Sequence, residues 1–297
     1  MKITAIIILY NENIKNSKTF ESLLNSDRSD ITLNVIIWNN GPKALNLQEC
    51  RQYKSICDSK NINLSVYEDL HNIALSKIYN FFINQESFDF FTILDQDSIL
   101  NNDFFQNIKI NNDFDVIVPQ VYSAGWISKE NSLCFPIYHE NRKIFDKKVF
   151  TMGEIESISS GLTLSNQLIK YISKSKQEIF NERYALYAID TSFFLDLIEL
   201  KQTEFKGICV GKINHSLDFN LQDRKKISPM RRLEMEYSKV LNKIFYDKKS
   251  RLNVFLYLLR KFTRREYSCS EFLKLAKCLF RKKHPRSCIP LTMNQLL

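Results

Sequence analysis

Asp95 and Asp97 stand one residue apart, directly after the apolar run 90–94 in "FDFFTILDQDSIL". Charge buried in a core without compensation is costly. Such a pair therefore belongs at the mouth of a buried strand, not inside it. Two carboxylates at this spacing can grip a divalent cation and leave its other ligand positions to water and phosphate oxygens. Mg²⁺ and Mn²⁺ favour sites of that kind. A solvated strand end or an Asx turn would use the same residues. An EF-hand is excluded, because Leu100 stands where that loop needs glycine. The chain has no GxGxxG, P-loop or HExxH, which removes the common dinucleotide, phosphate-loop and zinc-protease readings.

The elements that must position this pair alternate. "ITAIIILY", "LNVIIWNNGP", "NLSVYED" and "DFFTILD" read as strands, with helices over "SKTFESLLNS" and "IALSKIYNFFIN". The alternation predicts a parallel α/β sheet with right-handed crossovers. In such sheets ligands bind beyond the carboxyl ends of the strands. Three of the four strands end there in polar clusters: Tyr10-Asn11-Glu12, Asn39-Asn40-Gly41 and Asp95-Gln96-Asp97. Further on, "DVIVPQVY" reads as a strand and a helix follows "SSGLTLS". "ERYALYAIDTSFFLDLIEL" reads as a helix carrying Asp190, and "GICVGKINHS" as a late strand ending near His215.

The 297 residues, 44% hydrophobic and 25% charged, suit one large domain or two smaller ones and exclude disorder. The seven cysteines are scattered and form no CxxC pair, so reduced thiols are expected, without a disulfide framework or structural zinc site. "KITAIIILYNEN" reads as a core strand, not a signal peptide, and the apolar run 254–259 is too short to span a bilayer. The expected location is the cytoplasm. Residues 221–297 hold 20 Lys/Arg against 6 Asp/Glu, whereas residues 1–220 hold 22 against 27. An acidic body thus carries a basic appendage.

The appendage reads as helical. Apolar residues at 252, 255, 256, 259 and 262 follow helical spacing. Ser268 and Glu271 form a capping box before Phe272, Leu275, Ala276 and Leu279. Basic amphipathic helices suit an anionic membrane surface. A helical cap on the body is the alternative, and nucleic acid is not expected as a partner because no aromatic-basic reader motif is present.

Several stretches also carry a resemblance, in collinear order over roughly residues 3 to 240. "TILDQDS" resembles the DxD motif of GT-A glycosyltransferases, and DQDS is similar to the rhamnosyltransferase-like branch of glycosyltransferase family 2. "IIILYNEN", "VIIWNNGP" and "HNIALSKIYNFFI" look like that family's first strand, second strand with its turn, and following helix. "ISSGLTLS", "FNERYALYAIDTSFF" and "INHSL" resemble its acceptor-side motif, its acidic segment and its late histidine. The resemblance implies a GT-A catalytic domain over 1–220, with a nucleotide-sugar half (1–100) and an acceptor half (101–220), and a basic helical region over 221–297.

It also implies roles. Tyr10 and Asn39 would line the base pocket, and Asn11 and Gln96 would belong to the donor site. Asp95 would meet the ribose or sugar. Asp97 would hold the divalent cation, Mg²⁺ or Mn²⁺, with His215 completing that site. Ser160, Gly161 and Tyr187 would face the acceptor, with Asp190 as the base. Arg231 and Arg232 would clamp the diphosphate or form one more solvated patch. The implied enzyme inverts the anomeric centre while moving a hexose or deoxyhexose, rhamnose from dTDP-rhamnose by default, to a lipid-linked oligosaccharide. This would serve O-antigen or capsule-type polysaccharide assembly at the inner face of the plasma membrane. A UDP-galactose or UDP-glucose transferase is the rival within the fold, and a non-catalytic nucleotide-sugar or membrane-binding protein the rival outside it. Asn39 stands where the family has Asp, Ala74 where it has Gly, Tyr187 where this branch has an acid, and Asp196 where Arg is common.

Overall fold

β1 (Lys2–Leu9) is buried from Ile3 onward, as a strand covered on both faces must be. It opens a computed structural model that describes residues 1–123, 132–138, 142–151, 153–199, 204–216 and 228–297. The chain continues through α1 (Lys18–Leu24), β2 (Thr32–Asn39), α2 (Leu47–Ser59), β3 (Ile62–Glu68), α3 (Leu75–Gln85) and β4 (Phe90–Asp95). β3, β2, β1 and β4 lie side by side, all parallel. Each crossover is a helix, as the alternation predicts. α2 is the element that periodicity does not reveal. Its only fully buried side chains are Cys50 and Cys57, too few for an apolar stripe, although Asn46 caps it by accepting from the N–H groups of Gln48 and Glu49.

β5 (Ser98–Leu100), α4 (Phe104–Ile110) and β6 (Val116–Ser123) follow, then the short strands β7 (Ser132–Phe135), β8 (Ile137–Tyr138), β9 (Lys148–Thr151) and β10 (Ile155–Glu156). β11 (Thr163–Ser165), α5 (Asn166–Ser175), α6 (Ile189–Glu199) and β12 (Lys206–His215) complete the body. β11 inserts antiparallel between β4 and β6, and β12 runs parallel to β6. The sheet is therefore mixed, with its long central pairings parallel. The helix expected over "ERYALYAIDTSFFLDLIEL" begins only at Ile189. Ala188, at φ 65°, sits in the left-handed region and cannot continue a right-handed helix. Asp190 consequently lies in the first turn.

The tail forms α7 (Pro229–Phe245), α8 (Arg251–Thr263), α9 (Cys269–Arg281) and β13 (Asn294–Gln295). Tyr237, Val240, Leu241, Val254, Leu258, Leu275 and Leu279 join one apolar core with Tyr79, Phe180 and Phe193 of the body. β13 adds an antiparallel edge to β3. The predicted capping box at Ser268 and Glu271 is present. The predicted apolar stripe of α8 is turned, however. Val254 and Leu258 face the core, while Leu252, Leu256 and Leu259 face outward. Packing against α7 and α9, not helical periodicity, decides which side of α8 is covered.

Candidate active site

The carboxyl ends of β1, β2 and β4 come together as the sheet topology requires, and hydrogen bonds between them fix their loops. The Tyr10 N–H donates to Gln96 Oε1 at 2.8 Å, and the Gln96 amide returns to the Tyr10 carbonyl at 3.4 Å. The Asn11 N–H donates to the Gly41 carbonyl at 2.6 Å. Gly41 is held at φ 80°, and a Cβ there would meet the Leu70 carbonyl oxygen at 2.6 Å, so only glycine fits. The N-terminus of α1 grips the acidic loop. Ser17 donates to the Gln96 carbonyl at 3.0 Å, and the Ser98 N–H donates to the Thr19 hydroxyl at 2.8 Å.

His215, at the end of β12, closes the cluster from the far side. Its Nδ1 lies 3.2 Å from Asp97 Oδ1, and its Nε2 lies 3.7 Å from Asp95 Oδ2. Ser98 Oγ stands 3.1 Å from the same Nδ1 and 2.6 Å from Ser160 Oγ, which accepts the Asp95 N–H at 3.2 Å. The Ser216 hydroxyl donates to Asp97. These contacts split the two carboxylates. Burial pushes Asp95 above the usual carboxylate range, with His215 opposing and the Asp97 charge adding to the rise. Asp97 is also penalised by burial, yet bonds from His215 and Ser216 prevail and hold it below its ordinary value.

Asp190 faces this cluster from α6. Burial raises its carboxyl to about 6, the Thr191 N–H bond opposes, and the negative charge of Asp95 adds to the rise. The Thr191 N–H reaches Asp190 Oδ1 at 2.8 Å. Tyr79, fully buried on α3, lies within electrostatic reach of both Asp95 and Asp190, and its phenol is pushed well up by burial and then by those two charges. α3 also positions the approach to Asp190. Ser76 donates to the Tyr184 carbonyl at 2.6 Å. The Asn80 amide donates to the Phe180 carbonyl at 2.7 Å and accepts the Phe180 N–H at 2.9 Å. Arg231 donates from Nε to the Tyr187 hydroxyl at 2.6 Å. Its neighbour Arg232 turns away to pair with Glu271 at 2.6 Å.

The structure separates residues that are open from residues that are spent. Tyr10 is exposed at the rim. Asn39 is fully buried. Its amide donates to the Lys43 carbonyl at 2.7 Å and to Glu68 at 3.2 Å, and its oxygen accepts the Gly41 N–H at 3.1 Å. Ser160 is likewise fully buried, and the neighbouring Gly161, at φ 85°, packs so that a Cβ would meet Pro119 Cγ at 2.5 Å. In this arrangement Asn39 and Ser160 shape the loops, and their side chains do not line an open surface. Sequence reasoning passed over Thr19, Ser98 and Tyr79, whose importance lies in contacts across the sheet. Asn40, which the sequence places in a strand-end polar cluster without a role, brackets Ile73 with its amide, donating to its carbonyl at 3.0 Å and accepting its N–H at 2.9 Å. A further bond ties the tail to the body: Arg286, itself held by Glu234 of α7 at 2.6 Å, donates to Asn72 at 2.5 Å.

Among the described residues, no three His, Cys, Asp or Glu side chains form a ready-made metal cage. The donors that lie together are the hard oxygens of Asp97 and an imidazole nitrogen of His215, 3.2 Å apart, with Asp95 beside them. One carboxylate and one imidazole suit a Mg²⁺ or Mn²⁺ ion that completes its shell from a ligand's oxygens and water.

No protein-family model and no curated protein matches the chain. Solved structures do match in shape. S. aureus TarS superposes with a TM-score of 0.54 at 13% identity, over 97% of this chain and 50% of that one. This chain therefore spans half the length of that protein. The fold is GT-A. TarS 1–349 in complex with UDP matches at 14% identity and a TM-score of 0.52, covering 95% of this chain and 81% of that one. TarS 1–349 in complex with UDP-GlcNAc matches at 13% identity and 0.54, covering 97% and 83%.

Proposed function

We propose that this protein is an inverting glycosyltransferase that takes a sugar from a nucleoside diphosphate and passes it to an acceptor hydroxyl. The observation that carries the proposal is the pairing of Asp97, Asp95 and His215 at the strand mouths with Asp190 opposite them. The GT-A fold and the UDP and UDP-GlcNAc complexes of its structural neighbours support a nucleotide-sugar donor. Those complexes favour a UDP-linked sugar as donor, while the DQDS motif favours dTDP-rhamnose.

The residues divide the work. Asp97 is held charged and, with His215, would hold a Mg²⁺ or Mn²⁺ ion on the diphosphate; such an ion supplies positive charge against the leaving group. Asp95, held less acidic beside it, would accept a hydrogen bond from the ribose or sugar hydroxyls. Tyr10, open at the rim, would cover the base. Asp190 would take the proton of the acceptor hydroxyl. A carboxylate raised to about 6 is still ionised at neutral pH and is a better base than an ordinary aspartate. Attack from the face opposite the leaving diphosphate inverts the anomeric centre without a covalent intermediate. Tyr187, held by Arg231, would flank the incoming acceptor. A lipid-linked oligosaccharide of surface-polysaccharide assembly is the acceptor that the motif resemblance supports.

The test measures nucleoside diphosphate release from UDP- and dTDP-sugars, with thermal shift by UDP and dTDP in the presence and absence of Mn²⁺. Expected are a metal-dependent shift that is lost in Asp97→Ala, and turnover that is lost in Asp190→Asn with nucleotide binding kept. Absence of any nucleotide-induced shift would overturn the donor site. Full turnover in Asp190→Asn would overturn the base.

A further inference from the structure

The outer face of α8 and α9 combines an exposed apolar stripe with concentrated positive charge. Leu252, Leu256 and Leu259 are 65, 51 and 38% exposed and fall on one stripe of α8, at i, i+4 and i+7. Leu273 and Phe280 are 60 and 61% exposed, seven residues apart on α9. The Phe280 ring lies 6.3 Å from the half-buried Phe255 of α8, so the exposed side of α9 packs beside α8. Single exposed leucines are ordinary, but a contiguous apolar surface marks an interaction site. Around it lies concentrated positive charge. Residues 248–283 contain 12 Lys/Arg and 2 Asp/Glu, a net of +10, against +9 for the whole chain. Both acids are already engaged, Glu266 with Lys261 and Glu271 with Arg232.

We propose that this face docks on an anionic lipid bilayer, with the leucines and Phe280 entering the headgroup boundary and the Lys/Arg side chains meeting the lipid phosphates. The proposal does not depend on the transfer reaction. An anionic bilayer offers hydrocarbon and negative charge to the same surface. A second copy of the chain would bring two strongly positive faces together. Nucleic acid would meet the charge and leave the aliphatic side chains without a partner. The face is preformed: Ser250 and Ser268 cap the two helices, and Val254, Leu258, Leu275, Cys278 and Leu279 anchor their inner sides. No helix among the described residues is long and apolar enough to cross a membrane, so attachment through this face would be peripheral.

The experiment floats the full chain with vesicles of phosphatidylcholine alone or with phosphatidylglycerol added. It compares the wild type with a Leu256→Ser/Leu259→Ser/Phe280→Ser variant whose circular dichroism and melting temperature are checked first. These side chains face outward, so the fold is expected to stand. A second variant, Lys274→Gln/Lys277→Gln/Arg281→Gln, keeps the apolar face and removes charge. The wild type should bind the anionic vesicles at least about tenfold better than the neutral ones, and each variant should lose about tenfold or more on the anionic vesicles. Equal flotation of wild type and the serine variant would overturn the proposal. So would tight binding to polyphosphate or DNA without vesicle binding, or self-association in sedimentation that the serine variant abolishes while no species binds vesicles.

Discussion

The ends of β1, β2 and β4 and the Asp190 side of the same cluster are built in opposite ways. At the strand ends, polar groups bond to one another. Gln96 clasps Tyr10, Asn40 brackets Ile73, Asn39 ties Lys43 to Glu68, and Ser98 joins Ser160 to His215. On the other side, burial and the Asp95 charge raise the Asp190 carboxyl to about 6 although backbone N–H groups, that of Thr191 first, oppose the rise. The difference teaches a division of labour. Saturated hydrogen-bond networks hold geometry, and a carboxylate left under-solvated is free to exchange a proton.

The largest expected effect comes from Asp190→Asn. Removing a general base costs about 10²- to 10⁴-fold in transfer, read as turnover with nucleotide binding unchanged. The same substitution should stabilise the fold. A carboxyl raised from 3.8 to about 6 incurs no penalty below pH ~4, a growing one between about 4 and 6, and its full penalty above that. The variant should therefore melt higher than wild type at pH 7.5, by on the order of 1–3 kcal/mol, and equally at pH 4. Wild-type transfer should correspondingly fall as pH drops through about 6. A melting point lowered at pH 7.5 would place Asp190 among the structural residues instead.

Breaking the saturated side should cost stability first and function second. Asn40→Ala leaves the buried N–H and carbonyl of Ile73 without their partner, and about 2–3 kcal/mol should be lost in chemical denaturation. Gly161→Ala adds a Cβ 2.5 Å from Pro119 Cγ at φ 85°, where about 1–3 kcal/mol is expected. Measured nucleotide affinity should weaken in both only as far as the loops relax.

The two neighbouring arginines sharpen the comparison with the smallest effects. Arg231→Ala removes the bond to Tyr187 beside Asp190 and should lower transfer about tenfold with little change in melting. Arg232→Ala removes an outer ion pair with Glu271 and should cost less than about 0.5 kcal/mol with transfer intact. Equal losses of transfer in the two variants would erase the distinction.

Much of this architecture was legible in the amino-acid order because it is written in short-range signals. Apolar runs ending in polar triplets placed β1, β2 and β4 and put Asp95 and Asp97 at a strand mouth. The Ser268 and Glu271 side chains announced the start of α9. α2 escaped because two buried cysteines do not make a stripe, and the start of α6 was misplaced because Ala188 adopts a left-handed conformation that no local pattern signals. Only the tertiary structure brought Ser98 to Ser160, 62 residues away, and Arg286 to Asn72, 214 residues away. Only it chose which side of α8 to bury. Periodicity and capping act within one or two turns and can be read from neighbours in the chain. Hydrogen bonds across a sheet, pKa shifts from burial and the covered face of a helix depend on what the rest of the fold places alongside.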